Sequence, residues 1–288
     1  MKIQKNRMEP IEIFQVDSFT KEAFRGNPAM VCILDKTIDD ELMQKIAFEF
    51  SLSETAFLLP KLDNKKNEYE IRWFTPKNEV PLCGHATLAA SEVLFTYKKI
   101  LFDEIIYYSK SGILKAKKDI YGISLDFPLD EPKVIISNLY DELVKTMGIT
   151  NYENIFLGNN TKKLVIHLKN QEEVLKVQPN YEQMKKMNIE GIKGVGITST
   201  YNEKYHFITR YFNPWAGVNE DPVTGSVHTL LASYWSNILG VKELKAYQAS
   251  YRGGEMILRI KDNNRLEIIG DARIIFNGEL NIDYDNLR

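Results

Sequence analysis

The chain has 288 residues and carries 37 Lys and Arg against 39 Asp and Glu, a formal charge of -2; no basic footprint points to nucleic acid or an acidic membrane surface, and a small substrate is expected. Its two cysteines lie in unlike contexts, Cys32 in an apolar run and Cys83 in a loop, which excludes a disulfide framework. Residues 1 to 10 read as a polar, charged lead-in, no stretch approaches the ~18 apolar residues of a membrane span, and a reduced, cytoplasmic setting is expected.

Apolar runs rich in Val, Ile, Phe and Tyr predict strands at 11 to 17, 29 to 34, 55 to 59, 69 to 74, 105 to 109, 112 to 118 and 121 to 127. Between them, Leu42, Met43, Ile46 and Phe50 fall at helical spacing within a helix from Asp39 to Phe50, and a second helix runs from His85 to Tyr97. Pro128 and Pro132 bracket an acidic turn, and a boundary is expected around Asp126 to Pro132. The lobes then span 11–128 and 129–288, with the final strands free to cross back to the first lobe. A helix is expected from near Ser137. Further strands follow near 153 to 158, 162 to 168, 193 to 198, 205 to 213, 245 to 250, 255 to 260, 265 to 269 and 272 to 276, with a long helix from Ser226 to Leu239. Few helices among many strands is not a doubly wound pattern.

The two halves share a motif. Glu79-Val80-Pro81-Leu82-Cys83-Gly84-His85 returns as Glu220-Asp221-Pro222-Val223-Thr224-Gly225-Ser226. Each copy follows a strand ending in Phe-x-Pro (Phe74-Thr75-Pro76 and Phe212-Asn213-Pro214) and runs into a helix of small and apolar residues. A helix with so few charges is buried on most sides. The expected fold is therefore α+β, with two pseudo-symmetric lobes, each a curved, mostly antiparallel sheet or barrel around a central helix. Free N–H groups and the positive dipole end at each helix start suit a carboxylate or phosphate, and the duplication predicts that the two starts face one cleft.

Several side chains in and near these segments could carry chemistry. Glu54, between polar residues at the entrance to an apolar strand, fits either an exposed strand-end charge or a working carboxylate. Gly26-Asn27-Pro28-Ala29 reads as a turn before a strand. Cys83 and His85 form half of a metal site, yet with four histidines in all (His85, His167, His206 and His228) there is no second Cys/His cluster to complete it, so no metal is expected.

Together the segments Gly26-Asn27-Pro28-Ala29, Leu52-Ser53-Glu54-Thr55-Ala56-Phe57, Arg72-Trp73-Phe74-Thr75-Pro76, Cys83-Gly84-His85-Ala86-Thr87-Leu88-Ala89, the second motif copy and Arg252-Gly253-Gly254 resemble the PhzF-like phenazine-biosynthesis isomerase family, which shares the diaminopimelate epimerase fold. The resemblance implies a cofactor-independent, metal-free isomerase, similar to trans-2,3-dihydro-3-hydroxyanthranilate isomerase, acting on a small carboxylate or amino-acid-like substrate. It implies that Glu54 removes a proton from one carbon and returns it to another. His85 and Asp221 would hold and polarise the substrate, while Gly84, Gly225 and Ser226, with Cys83 and Thr224 beside them, would receive its polar groups. It also implies a homodimer.

One departure bears on mechanism. Epimerases of this fold oppose two thiols, but the partner of Cys83 in the repeat is Thr224. A hydroxyl with no base beside it is a poor proton carrier, which disfavours two-thiol racemisation and leaves Cys83 as a chemical group or simply a small residue in a tight turn. A cysteine-assisted epimerase and a non-catalytic ligand-binding protein are the competing readings; the set Glu54, His85 and Asp221 favours catalysis.

Overall fold

The structure, a computed structural model, describes residues 10–61, 66–135, 140–189 and 191–282. They form two compact units. One comprises residues up to Phe24, Pro28–Lys118 and the C-terminal segment from Ala272; the other comprises Arg25–Asn27 and Asp119–Asp271. Sequence-expected strands and helices recur at their places in both, so the α+β class holds. The lead-in at residues 1 to 9 and the expected helix start near Ser137 lie outside the described residues; the helix is described from Asp141. Among the described residues no helix is long and apolar enough to cross a membrane.

In the first unit the strands are β1 (Ile11–Ser18), β2 (Asn27–Ile33), β3 (Glu54–Pro60), β4 (Glu68–Phe74), β5 (Glu79–Val80), β6 (Glu104–Ser109), β7 (Gly112–Asp119) and, from the far end of the chain, β18 (Ala272–Leu280). β18 pairs antiparallel with β1, and β1 adjoins β2. From there β2–β3 is parallel, β3–β4 antiparallel, β4–β6 parallel and β6–β7 antiparallel. Helix α1 (Asp40–Phe50) covers one face: Asp39 Oδ1 caps it by accepting from Leu42 N–H at 2.7 Å, and Ser51 in the left-handed region (φ 55°) ends it. Its apolar side, Leu42, Met43, Ile46 and Ala47, packs on Ile13, Met30, Cys32 and Phe57. Helix α2 (Gly84–Glu92) is buried from His85 to Ser91 and packs against β1, β3 and β18. Its last turn widens, with Lys98 N–H bonded to the Val93 carbonyl five residues back.

The second unit contains β8 (Gly122–Pro128), β9 (Pro132–Val134), β10 (Asn154–Gly158), β11 (Leu164–His167), β12 (Val195–Thr200), β13 (Phe207–Asn213), β14 (Val218–Glu220), β15 (Glu243–Gln248), β16 (Gly254–Lys261) and β17 (Arg265–Gly270). Its pairings repeat those of the first: β11–β12 parallel, β12–β13 antiparallel, β13–β15 parallel, β15–β16 antiparallel. β16–β17 and β17–β8 extend the sheet. Its central helix, here α6 (Gly225–Leu239), is buried from Val227 to Trp235 and packs against β9, β15, β16 and β17. Three short helices, α3 (Asp141–Thr146), α4 (Gln171–Lys176) and α5 (Tyr181–Lys186), complete the unit.

The duplication extends to side chains. Arg72 makes a two-pronged ion pair with Glu79 at 2.8 and 2.9 Å, and Arg210 makes the same pair with Glu220 at the same distances. Each guanidinium lies over the following motif phenylalanine, Phe74 or Phe212, about 5 Å from the ring centre. A charged fork braced by carboxylate and ring holds each strand end ahead of its loop.

Candidate active site

In the first unit β3 opens on Ser53 and Glu54, and α2 opens on Cys83, Gly84 and His85. These two starts converge. His85 Nε2 lies 3.2 Å from Glu54 Oε2 and 3.2 Å from Ser53 Oγ, while Nδ1 lies 3.5 Å from Cys83 Sγ. The His85 carbonyl accepts from Ser18 Oγ at 2.7 Å, and Ser53 Oγ also donates to the Pro28 carbonyl at 3.3 Å. The Glu54 side chain is 19 % exposed, and its Oε2 accepts no hydrogen bond. Burial pushes its carboxyl above the usual value, against hydrogen bonds from Ser53 and Cys83 that favour the charged form. Glu54 is therefore no exposed strand-end charge. Each of Glu54, Cys83 and His85 offers a donor atom within 4.8 Å of the other two. The half-site read from the sequence acquires its third donor from β3.

Register identifies the counterpart of Glu54. Thr55 pairs with Phe74 and Val195 with Phe212; the residue before Thr55 is Glu54, and the residue before Val195 is Gly194. Gly194 sits at φ +105°, and a Cβ there would lie 2.1 Å from Tyr211 Oη. The ring of Tyr211 occupies the space, so the second unit has no room for an acid at this position.

In the second unit Asp221, Thr224, Gly225 and Ser226 lie on the second motif copy. The Asp221 carboxylate accepts from Asn27 Nδ2 at 2.9 Å and from Thr224 Oγ1, and its N–H donates to the Tyr211 carbonyl at 3.0 Å. Gln248 straps the loop, its Nε2 donating to the Asp221 carbonyl and its Oε1 accepting from Thr224 N–H, both at 2.8 Å. The sequence reading left the Thr224 hydroxyl without a neighbouring base. The structure places Asp221 beside it, and the hydroxyl is spent as a donor to that carboxylate.

Asn27, read as part of a turn, is fully buried and also donates to the Val223 carbonyl at 2.8 Å. Its turn is pinned by the third motif: Gly26 N–H bonds the Gly253 carbonyl, and Arg252 Nε bonds the Gly26 carbonyl, both at 2.8 Å. Lys163, which the sequence gave no reason to single out, is buried with Nζ 2.6 Å from Tyr211 Oη. Burial lowers its ammonium to about 8, and the charge of Asp221 acts against that shift.

The match to the phenazine biosynthesis-like protein family covers residues 16–278. A bovine phenazine biosynthesis-like domain-containing protein is 42 % identical over 284 residues, spanning 94 % of this chain and 99 % of that one. An uncharacterised isomerase of Halalkalibacterium halodurans is 41 % identical over 270 residues, spanning 93 % of this chain and 97 % of that one. The crystal structure of a PhzF-family protein from Enterococcus faecalis superposes with a TM-score of 0.86 at 37 % identity, covering 95 % of this chain and all of the other. With its duplicated α+β architecture and with Cys83 and His85 at the start of a central helix beside Glu54 of β3, the chain belongs to the phenazine biosynthesis-like (PhzF-like) family of isomerases.

Proposed function

We propose that the chain is a cofactor-independent isomerase that moves one proton between two carbons of a small carboxylate or amino-acid-like substrate, with Glu54 as the acid-base group. The observation that supports this reading most directly is the Glu54 carboxyl, buried against His85 with its proton affinity raised. A carboxylate raised toward neutrality can both take and return a proton near the operating pH. In the forward step the Glu54 carboxylate takes a proton from carbon; the electron pair left behind passes into the adjoining unsaturated system. The Glu54 carboxylic acid then returns the proton to a second carbon. Nothing is oxidised or reduced, and the carboxylate is regenerated.

His85 would hold and polarise the substrate beside Glu54, with Ser53 fixing its ring. Asp221 is proposed to share the holding and polarising role, with Ser226 and the N–H groups of Gly84 and Gly225 receiving the substrate's polar groups. Substrates are best sought among cyclic amino acids and carboxylates related to dihydro-3-hydroxyanthranilate.

Glu54→Gln keeps shape and hydrogen bonding but cannot cycle a proton, so turnover should fall by roughly 10²- to 10⁴-fold while substrate binding survives. Cys83→Ser replaces one hydrogen-bond donor by another and should cost about 1 kcal/mol, roughly fivefold. Steady-state kinetics on the two variants side by side decide the matter. An inactive Cys83→Ser beside an active Glu54→Gln would overturn the reading in favour of a thiol-based epimerase, a possibility raised by the contact of Cys83 with His85. A chain that binds its ligand yet turns over none of the candidate acids would favour a ligand-binding protein.

A further inference from the structure

We infer that Glu54, Cys83 and His85 form a binding site for one borderline-soft divalent ion of the Zn²⁺ or Co²⁺ type, and that its occupation switches the acid-base group off. Three kinds of donor meet here: a carboxylate oxygen, a sulfur and an imidazole nitrogen, all within 4.8 Å of one another. Zn²⁺ binds such donors at about 2.0–2.3 Å, which sets tetrahedral donor-to-donor spacings near 3.3–3.7 Å. The Glu54 Oε2 to His85 Nε2 separation of 3.2 Å is already close to that spacing, and an ion on Nε2 draws the Cys83 sulfur across from its present place 3.5 Å from Nδ1.

Other features of the site point the same way. Glu54 Oε2 is buried and accepts no hydrogen bond, so a lone pair faces the cluster. The donors stand on regular structure: Cys83 and His85 flank the first residue of α2, whose backbone is fixed by the bond from Ser18 to the His85 carbonyl, and Glu54 begins β3. Thiolate with imidazole selects zinc-like ions over magnesium or calcium, which take oxygen donors. Three protein ligands leave the fourth position for water or a ligand carboxylate. The matching positions of the second unit, Gly194, Thr224 and Ser226, supply no such set, so the stoichiometry is one ion per chain.

On binding, the ion takes up the Cys83 sulfur and the thiol proton passes to the buffer, the Glu54 carboxylate and one His85 nitrogen completing the set. The Glu54 lone pair needed to accept a proton from carbon is then occupied. Metal binding does not rest on the isomerase reading, because it is measured without substrate; only its inhibitory effect does.

The test is a Co²⁺ titration of the whole chain after stripping with a chelator. The expected result is saturation at one equivalent, a sulfur-to-cobalt charge-transfer band with tetrahedral visible bands, and stoichiometric bleaching by Zn²⁺. Cys83→Ser should abolish the charge-transfer band. Cys83→Ser and Glu54→Gln should each weaken Zn²⁺ binding, followed by calorimetry, by more than the ~10- to 100-fold that loss of an outer-shell partner costs; near-ultraviolet circular dichroism checks that each variant is folded. No charge-transfer band in the wild-type chain, or unchanged Zn²⁺ affinity in a folded Glu54→Gln, overturns the site. If Zn²⁺ binds and turnover persists, the site stands and the switch is wrong; if no ion binds and Glu54→Gln is inactive, the site is wrong and the isomerase reading stands.

Discussion

At the scale of residues, Asn27 shows how a site can depend on a side chain far along the chain. Its amide serves Asp221, 194 residues away, and the Val223 carbonyl. Asn27→Ala should leave the buried Val223 carbonyl and the half-buried Asp221 carboxylate without this donor, at a cost of about 1–3 kcal/mol. Urea unfolding would read that loss, and an unchanged midpoint would mean that solvent replaces the amide. No local pattern announces such a bond, so Asn27 read as a turn, and Gln248 drew no attention at all. Glu54, Cys83 and His85 were legible because their segments carry the family motifs, and the resemblance put Glu54 close to His85 or Asp221; that Cys83 joins the Glu54–His85 contact was not legible, because it needs β3 and α2 to start at the same place. The thiol's proximity to an imidazole is likewise a product of the helix start, where residues flanking Gly84 project together.

Among elements, the long strands and the three long helices were legible because their apolar periods are clear. The helices α4 and α5 were missed for a physical reason: six residues each, they fully bury a single side chain, Val174 or Met184, leaving no period to detect. The paired central helices also differ in a way that sequence alone does not price. Four residues after each N-cap, Thr87 donates to the Cys83 carbonyl at 2.6 Å, while His228 Nδ1 lies 2.8 Å from the Thr224 carbonyl. His228 is fully buried, with Nε2 lacking a partner, and burial lowers it from 6.5 to about 4. Since the folded value lies below the unfolded one, the unfolded chain binds the extra proton between those values. Stability therefore falls as pH drops from 6.5 towards 4, by up to about 3 kcal/mol from this group, and the group costs nothing above that window. His228→Thr restores the repeat's own solution and should flatten the dependence of unfolding free energy on pH in that window, whatever the replacement does to packing at neutral pH. Denaturant titrations at pH 7 and pH 5 on both proteins would check it; equal slopes would assign the acid sensitivity elsewhere.

For the whole molecule, β18 pairs with β1 and leaves Phe276 45 % exposed. A large apolar side chain exposed on a nine-residue strand suits burial against a second chain. A homodimer is the expected outcome, and light scattering should give about twice 33.3 kDa; a single species of 33.3 kDa at micromolar concentration would count against it. The same strand has a temporal consequence. Register runs from Ile11 opposite Leu280 to Ser18 opposite Ala272, so β1 must wait for a strand made far later in the chain. Until β18 has been made, the nascent sheet of the first unit lacks the strand that β1 pairs with, and no neighbouring segment supplies it. A chain cut shortly before Ala272 would therefore damage the unit that contains β1 rather than the unit made just before the cut, and β1 is the strand that needs shielding the longest.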